Sequence, residues 1–210
     1  MNKQGNTYTF IYSVILVVVV AALLSVISLS LQPRQNENRQ NEKRQNILSA
    51  IHISSTAQNS AELFNKYIKE QFIVNDKGQR IEGNAFNVDI KEQYNVAADK
   101  REFPVFVADV DGATKYILPI YGAGLWGPIW GYISLDADKS TIYGTFFDHQ
   151  GETPGLGAEI TTPAFNNQFQ NKQIFSGEEL VSILVIKGGN ATGKNEVDAI
   201  SGGTILSLIH

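Results

Sequence analysis

Cysteine is absent from this sequence, which excludes disulfides, iron–sulfur clusters and thiolate metal sites. Histidine is scarce: His52, His149 and His210 are too scattered for a zinc site, which draws three or four ligands from close spacing. Positive charge is thin as well. Lysine and arginine number 17 against 21 acidic residues, a formal net charge of −4, and they form no basic stripe. A nucleic-acid footprint needs clustered Lys and Arg, so DNA and RNA are excluded as partners. Charge of either sign is missing altogether from residues 10–31, FIYSVILVVVVAALLSVISLSL.

That uncharged run sets the organisation of the chain. About 22 residues at a rise of 1.5 Å make a helix near 33 Å long, enough to cross a hydrocarbon core of roughly 30 Å. The valines are no obstacle in lipid, where a helix satisfies every backbone group internally. A cleaved signal peptide is the rival reading, with Lys3 before the run and Ser28 and Ser30 near a cleavage point. Its apolar core is normally 7–15 residues, so an uncleaved anchor is expected. Only Lys3 precedes the run, whereas Arg34, Arg39, Lys43 and Arg44 follow it, partly offset by Glu37 and Glu42. By the positive-inside rule this pattern places the following domain in the cytoplasm.

The expected organisation is a short tail over 1–9, a transmembrane helix over 10–31, a polar helical stalk over 32–54 and one domain over 55–210. Pro33 is expected to end or kink the span, and Ile47, Leu48 and Ile51 to make the first apolar contacts of the domain. Asn59 and Glu62 stand in capping-box positions ahead of Leu63, Phe64, Tyr67, Ile68 and Phe72, which predicts a helix with one face on a sheet. Residues 75–78, NDKG, read as a turn. Residues 103–108, 115–120, 129–135 and 142–147 are rich in β-branched and aromatic side chains and are separated by DVDG, YGAG and DADKS, which predicts an antiparallel sheet. Thr162 and Pro163 open a short helix over 164–169 as N-cap and N1. Residues 180–187 read as a strongly apolar strand and 188–194 as a glycine-rich loop. The fold class is therefore α+β, an antiparallel sheet with packed helices, preceded by one N-terminal transmembrane helix.

Three patterns imitate known sites. Gly122, Gly124 and Gly127 spell GxGxxG, but Pro128 and a β-like run follow where a dinucleotide fold needs a helix. Gly188, Gly193 and Lys194 nearly spell a phosphate-binding loop, with Asn195 in place of the Ser/Thr that would hold magnesium. Asp136, Asp138 and Ser140 start like a calcium loop, yet the glycine comes late, at Gly144, and no Glu closes it.

Three segments carry chemistry. Near the end, DAISGGTILS places Thr204 after two glycines, with Ser201 and Asp198 upstream: an accessible hydroxyl in a turn whose N–H groups can face an anion. Before it come YGAGLWGPIWGYISLD, from Tyr121, and HQGETPGLGAEI, from His149. In this order the three segments resemble the covalently flavinylated, FMN-binding subunit of the sodium-translocating NADH:quinone reductase. The resemblance runs from the anchor to Thr204. It implies FMN held covalently by a phosphoester to Thr204, with Asp198, Ser201, Gly202 and Gly203 completing the attachment pattern; Gly203 stands where alanine is commoner. It also implies a separate flavin transferase, partner subunits of a membrane reductase, a place in the inner membrane, and a domain on the periplasmic side, against the charge pattern. The chain would relay electrons toward ubiquinone in a complex that oxidises NADH and exports sodium, with no catalysis of its own. Members usually continue past the threonine in a further helix, whereas six residues follow Thr204 here.

The residue types suit that cofactor. Isoalloxazine is a large flat ring with polar edges, and it needs apolar walls, close backbone approach and a few N–H donors. Gly155 and Gly157 remove side chains on either side of Leu156, so that N–H groups can reach a ring edge while Leu156 covers a face. Pro154 stiffens the approach. Glu152 and Thr153 bond the ribityl hydroxyls or hold the loop. Gly124, Leu125 and Trp126 form a second wall, with His149 a polar neighbour and Trp130 a weaker candidate. Two readings stay beside this one: the flavin subunit of the related ferredoxin-linked ion pump, and a non-redox binding or structural domain of a membrane complex.

Overall fold

The computed structural model describes residues 6–200. The chain falls into two units, 1–42 and 43–210. Within the first runs most of α1 (Asn6–Ser49), whose apolar side chains from Phe10 to Leu31 are all exposed. It is long and apolar enough to cross a membrane. The Ser25 and Ser30 hydroxyls donate to the Ala21 and Ile27 carbonyls, both at 2.8 Å, so neither presents an unbonded donor to an apolar surround. Pro33 lies inside the helix and does not end it. It removes one N–H from the backbone ladder, and the turns on either side carry the helix through.

The second unit is built on a six-stranded antiparallel sheet in the order β2-β1-β3-β4-β5-β6. Its strands are β1 (Ile68–Val74), β2 (Arg80–Ile81), β3 (Phe103–Val110), β4 (Ala113–Ala123), β5 (Pro128–Leu135) and β6 (Ile142–His149). The four strands expected from the sequence are β3 to β6, each longer by one to five residues. Strand β1 is not among those expected. The apolar positions from Leu63 to Phe72 straddle a junction: α2 (Ser60–Tyr67) stops at Tyr67 and the chain enters β1. The expected capping box is not formed either. The Asn59 side chain accepts from the Thr56 N–H at 2.7 Å and makes no bond into α2. The turns are as their residues require: Gly78 at φ +72° closes NDKG, and Asp111 and Gly112, both at positive φ, close the β3–β4 hairpin.

Alternation along the strands sends side chains to two faces, and both are covered. One face packs Phe106, Ile117 and Tyr132 against Ile47, Leu48 and Ile51 from the end of α1 and Phe64 of α2. The other packs Ile129, Ile133 and Phe147 against Ile160, Phe165 and Phe169. These last come from the 157–161 turn, from α4 (Pro163–Asn166), capped by the Thr162 hydroxyl as expected, and from the 167–169 turn that follows it. The remainder is irregular: short α3 (Ile90–Tyr94), the hairpin of β7 (Phe175–Ser176) and β8 (Glu179–Leu180), and a parallel pair, β9 (Leu184–Ile186) with β10 (Glu196–Asp198). The single strand expected over 180–187 is therefore broken in two. Leu180 and Leu184 are 61% and 48% exposed, so the run is apolar without being core.

The sheet is not continuous across its width. Pairing between β3 and β4 stops at Phe106 and Ile117. Continuing that register would set Pro104 opposite Pro119, and neither has an N–H to donate. The strands part there, and α3 lies beside the opening, where the Tyr94 ring meets Tyr121 at 5.3 Å.

Phe106 is fully buried and meets the Phe64 ring edge-on at 6.2 Å. Phe106→Ala is expected to lower unfolding free energy by about 3–5 kcal/mol. Urea denaturation followed by circular dichroism checks this: the midpoint should fall with the slope unchanged.

Candidate functional site

The β4–β5 hairpin ends in a turn closed by the Gly124 N–H, which donates to the Gly127 carbonyl at 2.8 Å. Its tip holds Leu125 and Trp126, which are 57% and 67% exposed. Large apolar side chains displayed on a tight turn mark a surface that meets something other than water. The turn is seated on the loop leaving β6. The Gln150 N–H donates to the Pro128 carbonyl at 3.0 Å, and the Trp126 N–H donates to Glu152 Oε1 at 3.0 Å. Glu152 is only 7% exposed, and its own N–H donates to His149 Nδ1 at 3.2 Å.

Two glycines make the slot for this carboxylate. A Cβ on Gly124 would overlap Glu152 Oε1, and one on Gly157 would overlap Oε2. Gly157 is thus required by close approach to Glu152. Gly155 is required for a different reason: it sits at φ +74° with open space where a Cβ would be. Of the N–H groups expected to reach a ring edge, that of Leu156 itself is engaged within the loop. The Leu156 N–H is committed to the Thr153 carbonyl at 3.1 Å, which also accepts from Ala158 at 3.2 Å. Of the two roles open to Glu152, the geometry supplies the holding of the loop. Leu156 is 40% exposed and directly precedes Gly157, the glycine that makes room for Glu152 Oε2. Trp130 is in the strand, away from the tip.

Beneath the site, Ile129 from the start of β5, Ile160 after the loop and Val197 of β10 share one core cluster, and Ile200 packs against it. That cluster brings together the three segments singled out in the sequence. Asp198 is placed as a latch: its N–H donates to Gln168 Oε1 at 2.7 Å, and its Oδ1 accepts from the Ala191 N–H at 2.8 Å. Gln168 carried no signal in the sequence, because its partner is the backbone of a strand 30 residues away. Ser201, Gly202, Gly203 and Thr204 lie outside the described residues.

The imitation sites resolve into ordinary turns. In the glycine-rich loop the Thr192 and Gly193 N–H groups donate to Glu196 Oε2 at 3.1 and 2.8 Å, so the chain fills its own would-be phosphate cradle. Asp136 pairs with Lys115. The Asp138 carboxylate accepts from the Thr141 hydroxyl and from the Ser140 and Thr141 N–H groups, which holds its carboxyl below the usual range.

Against known proteins, the profile of the FMN-binding domain family matches residues 124–208. The C subunit of the Na(+)-translocating NADH-quinone reductase of Vibrio alginolyticus is 30% identical over 207 residues, covering 90% of this chain and 81% of that one. The chain belongs to this family, NqrC. A crystal structure of the same subunit from Parabacteroides distasonis is 49% identical, with a TM-score of 0.79 over 84% of this chain and 87% of that one. NqrC of Shewanella oneidensis is 25% identical, with a TM-score of 0.68 over 79% and 85%. The matched FMN-binding stretch opens on the slot glycine Gly124 and takes in the whole Glu152 loop. The family match thus covers the region in which a buried carboxylate joins two exposed apolar tips, an arrangement that fits a flat ring with apolar faces.

Glu152→Ala is expected to free the Trp126 N–H, speeding its hydrogen exchange at least tenfold and lowering stability by about 1–3 kcal/mol. Exchange read by NMR at that amide checks it, and Glu152→Gln, which keeps an acceptor oxygen, should retain part of the protection.

Proposed function

We propose that this chain carries FMN as the NqrC subunit of a sodium-translocating NADH:quinone reductase, with the cofactor joined by a phosphoester to Thr204. The observation that carries this reading is the Glu152 slot. It joins the turn that carries Leu125 and Trp126 to the loop that carries Leu156, and Ile129 and Ile160 at the roots of these two segments share the cluster against which Ile200 packs, four residues before Thr204. That shared cluster supports a flavin tethered close after Ile200 in sequence with Leu125, Trp126 and Leu156 as its apolar walls.

FMN, when bound, supplies electron transfer. The residues of this chain bind and orient it: Leu125, Trp126 and Leu156 cover ring faces, Thr153 serves the ribityl hydroxyls, and Gly155 and Gly157 shape the loop. Glu152 acts through the two turns it holds. Ser201, Gly202 and Gly203 complete the attachment pattern with Thr204. Asp198 fixes the start of that pattern by its bonds to Gln168 and Ala191. In maturation the Thr204 oxygen gives up its proton and takes the FMN phosphoryl group from FAD, with AMP leaving, on a separate flavin transferase. A covalent tether keeps the flavin in place when oxidised and reduced forms would otherwise bind with different affinities.

Helix α1 is the single anchor in the inner membrane, and the domain stands on the periplasmic side, assembled with the other subunits of the reductase. Four basic residues soon after the apolar run oppose that orientation by the positive-inside rule. Assembly with partners overrides so weak a bias.

Expressed with a flavin transferase, the full chain is expected to gain about 438 Da as an FMN phosphoester and to fluoresce in gel, with both signals lost in Thr204→Ala. A chain that stays unmodified beside an active transferase would defeat the redox reading. Leu156→Ala with Trp126→Ala should leave the mass increment intact while shifting the flavin absorption bands, because the ring loses walls and not its tether.

A further inference from the structure

The parting of β3 from β4 at the two prolines opens a cleft of about 500 Å³ on the sheet face that carries Phe106 and Tyr132. That volume is in the range of small-molecule sites, roughly 300–1,000 Å³. Tyr121 and Trp130 line it with flat aromatic surface, and the fully buried Phe106 lies behind its wall. Pro104, Pro119 and Pro128 add walls without an N–H, so an added β-strand would find no continuous ladder there. The cleft is distinct from the Glu152 slot. Of the loop after β6, only Gln150 reaches it, and Leu125, Trp126 and Leu156 do not line it.

Two donors line this space. Tyr132 is 8% exposed, lines the cleft, and its hydroxyl makes no hydrogen bond among the described residues. The hydroxyl is not sealed in the core, so it is available to whatever enters the cleft. Burial, and then the nearby Asp89 carboxylate, push its pKa up, so the group stays a protonated donor. Lys43 is the second. Its ammonium donates to the Phe86 and Val88 carbonyls at 2.7 and 2.8 Å, which leaves the third N–H outside these bonds. Burial lowers its pKa, partly offset by Asp89. An anion at the third position would favour the charged form. Lys91 adds a further positive charge to the lining, while Asp89 Oδ1 is engaged by the Lys91 N–H at 2.9 Å as the cap of α3. Asp89 lines the cleft as well, but Lys43 and Lys91 outnumber it, so flat walls with two donors suit a ligand that has a ring and an acceptor oxygen of negative charge.

We propose that this cleft is a second binding site, for a flat aromatic carboxylate, with its ring against Tyr121 and Trp130 and its carboxylate on the Tyr132 hydroxyl and the Lys43 ammonium. The proposal does not rest on the flavin reading. The chain holds two tryptophans, Trp126 and Trp130, so 5-fluorotryptophan labelling of the full chain in detergent gives two fluorine resonances, assigned with Trp126→Phe. On titration with 2-naphthoate the Trp130 resonance should shift saturably while that of Trp126 stays. Tyr132→Phe keeps the ring and the core packing and should raise Kd about tenfold, the effect of losing one hydrogen bond to a charged group. The neutral 2-naphthylmethanol should bind at least tenfold more weakly than 2-naphthoate. An unmoved or non-saturating Trp130 signal, an unchanged Kd in Tyr132→Phe, or equal binding of the neutral alcohol would each overturn the assignment.

Discussion

The Glu152 carboxylate sits between two glycines that belong to different turns, filling the space that both leave, and it accepts from the Trp126 N–H in the first turn. A buried carboxylate is costly unless its oxygens are engaged. That cost makes the contact directive: the side chain has one place in which it is both sheltered and bonded, and occupying it sets the β4–β5 turn against the 153–157 loop. The apolar residues at the two tips are left outward because the polar interior of the junction is already spoken for. Exposure of Leu125, Trp126 and Leu156 is therefore a consequence of how the turns are joined.

The sheet supplies the rigid frame for that junction. β5 pairs with β4 from Pro128 through Leu135 and with β6 over nearly the same length, so the hairpin turn and the loop after β6 leave from one end of a fully paired strand. Gly131 marks how closely β5 lies to β6, since a Cβ there would overlap the Phe146 carbonyl. On the far side, Val197 and Ile160 close the same core as Ile129. The chain is thus led to Ile200 by packing and by the Gln168–Asp198 bond together, and either alone would leave the exit less well fixed.

Much of the fold was legible because it depended on local chemistry. Strands β3 to β6 announce themselves by β-branched and aromatic runs between turn residues, and the Thr162–Pro163 cap follows from a hydroxyl and a fixed φ. The errors came where a local pattern was indifferent to tertiary context. Leu63, Phe64, Tyr67, Ile68 and Phe72 satisfy a helical period through Tyr67 and a strand beyond it, and nothing in the spacing says where one gives way to the other. Residues 180–187 have the composition of a core strand, but a strand is completed by neighbours, and here only β7 and the three-residue β10 are offered. For the site, the segments were legible and the roles were not. Gly124 and Gly157 lie in separate motifs, and their shared purpose appears only once Glu152 is seen between them. The opposition of Pro104 and Pro119 was likewise invisible until the β3–β4 register was set.

Alternation makes β5 serve two surfaces at once. Ile129 and Ile133 turn to the core beneath the Glu152 loop, while Trp130 and Tyr132 turn to the opposite face and line the cleft at the sheet parting. A one-residue slip of β5 would exchange those sets and destroy both surfaces together. Its register is held from both sides, by β4 through Tyr121 and Trp130 and by β6 through Ile129 and His149. Ser134 adds a further tie, donating to the Ala50 and Gly144 carbonyls at 2.6 and 3.0 Å from a fully buried position. The hydroxyl points to the α1 side of the sheet, the face on which Tyr132 also stands, so the register of the strand is pinned where the cleft needs it. The two surfaces therefore share one mechanical element, β5, although they share no lining side chain among Leu125, Trp126, Leu156 and Tyr132.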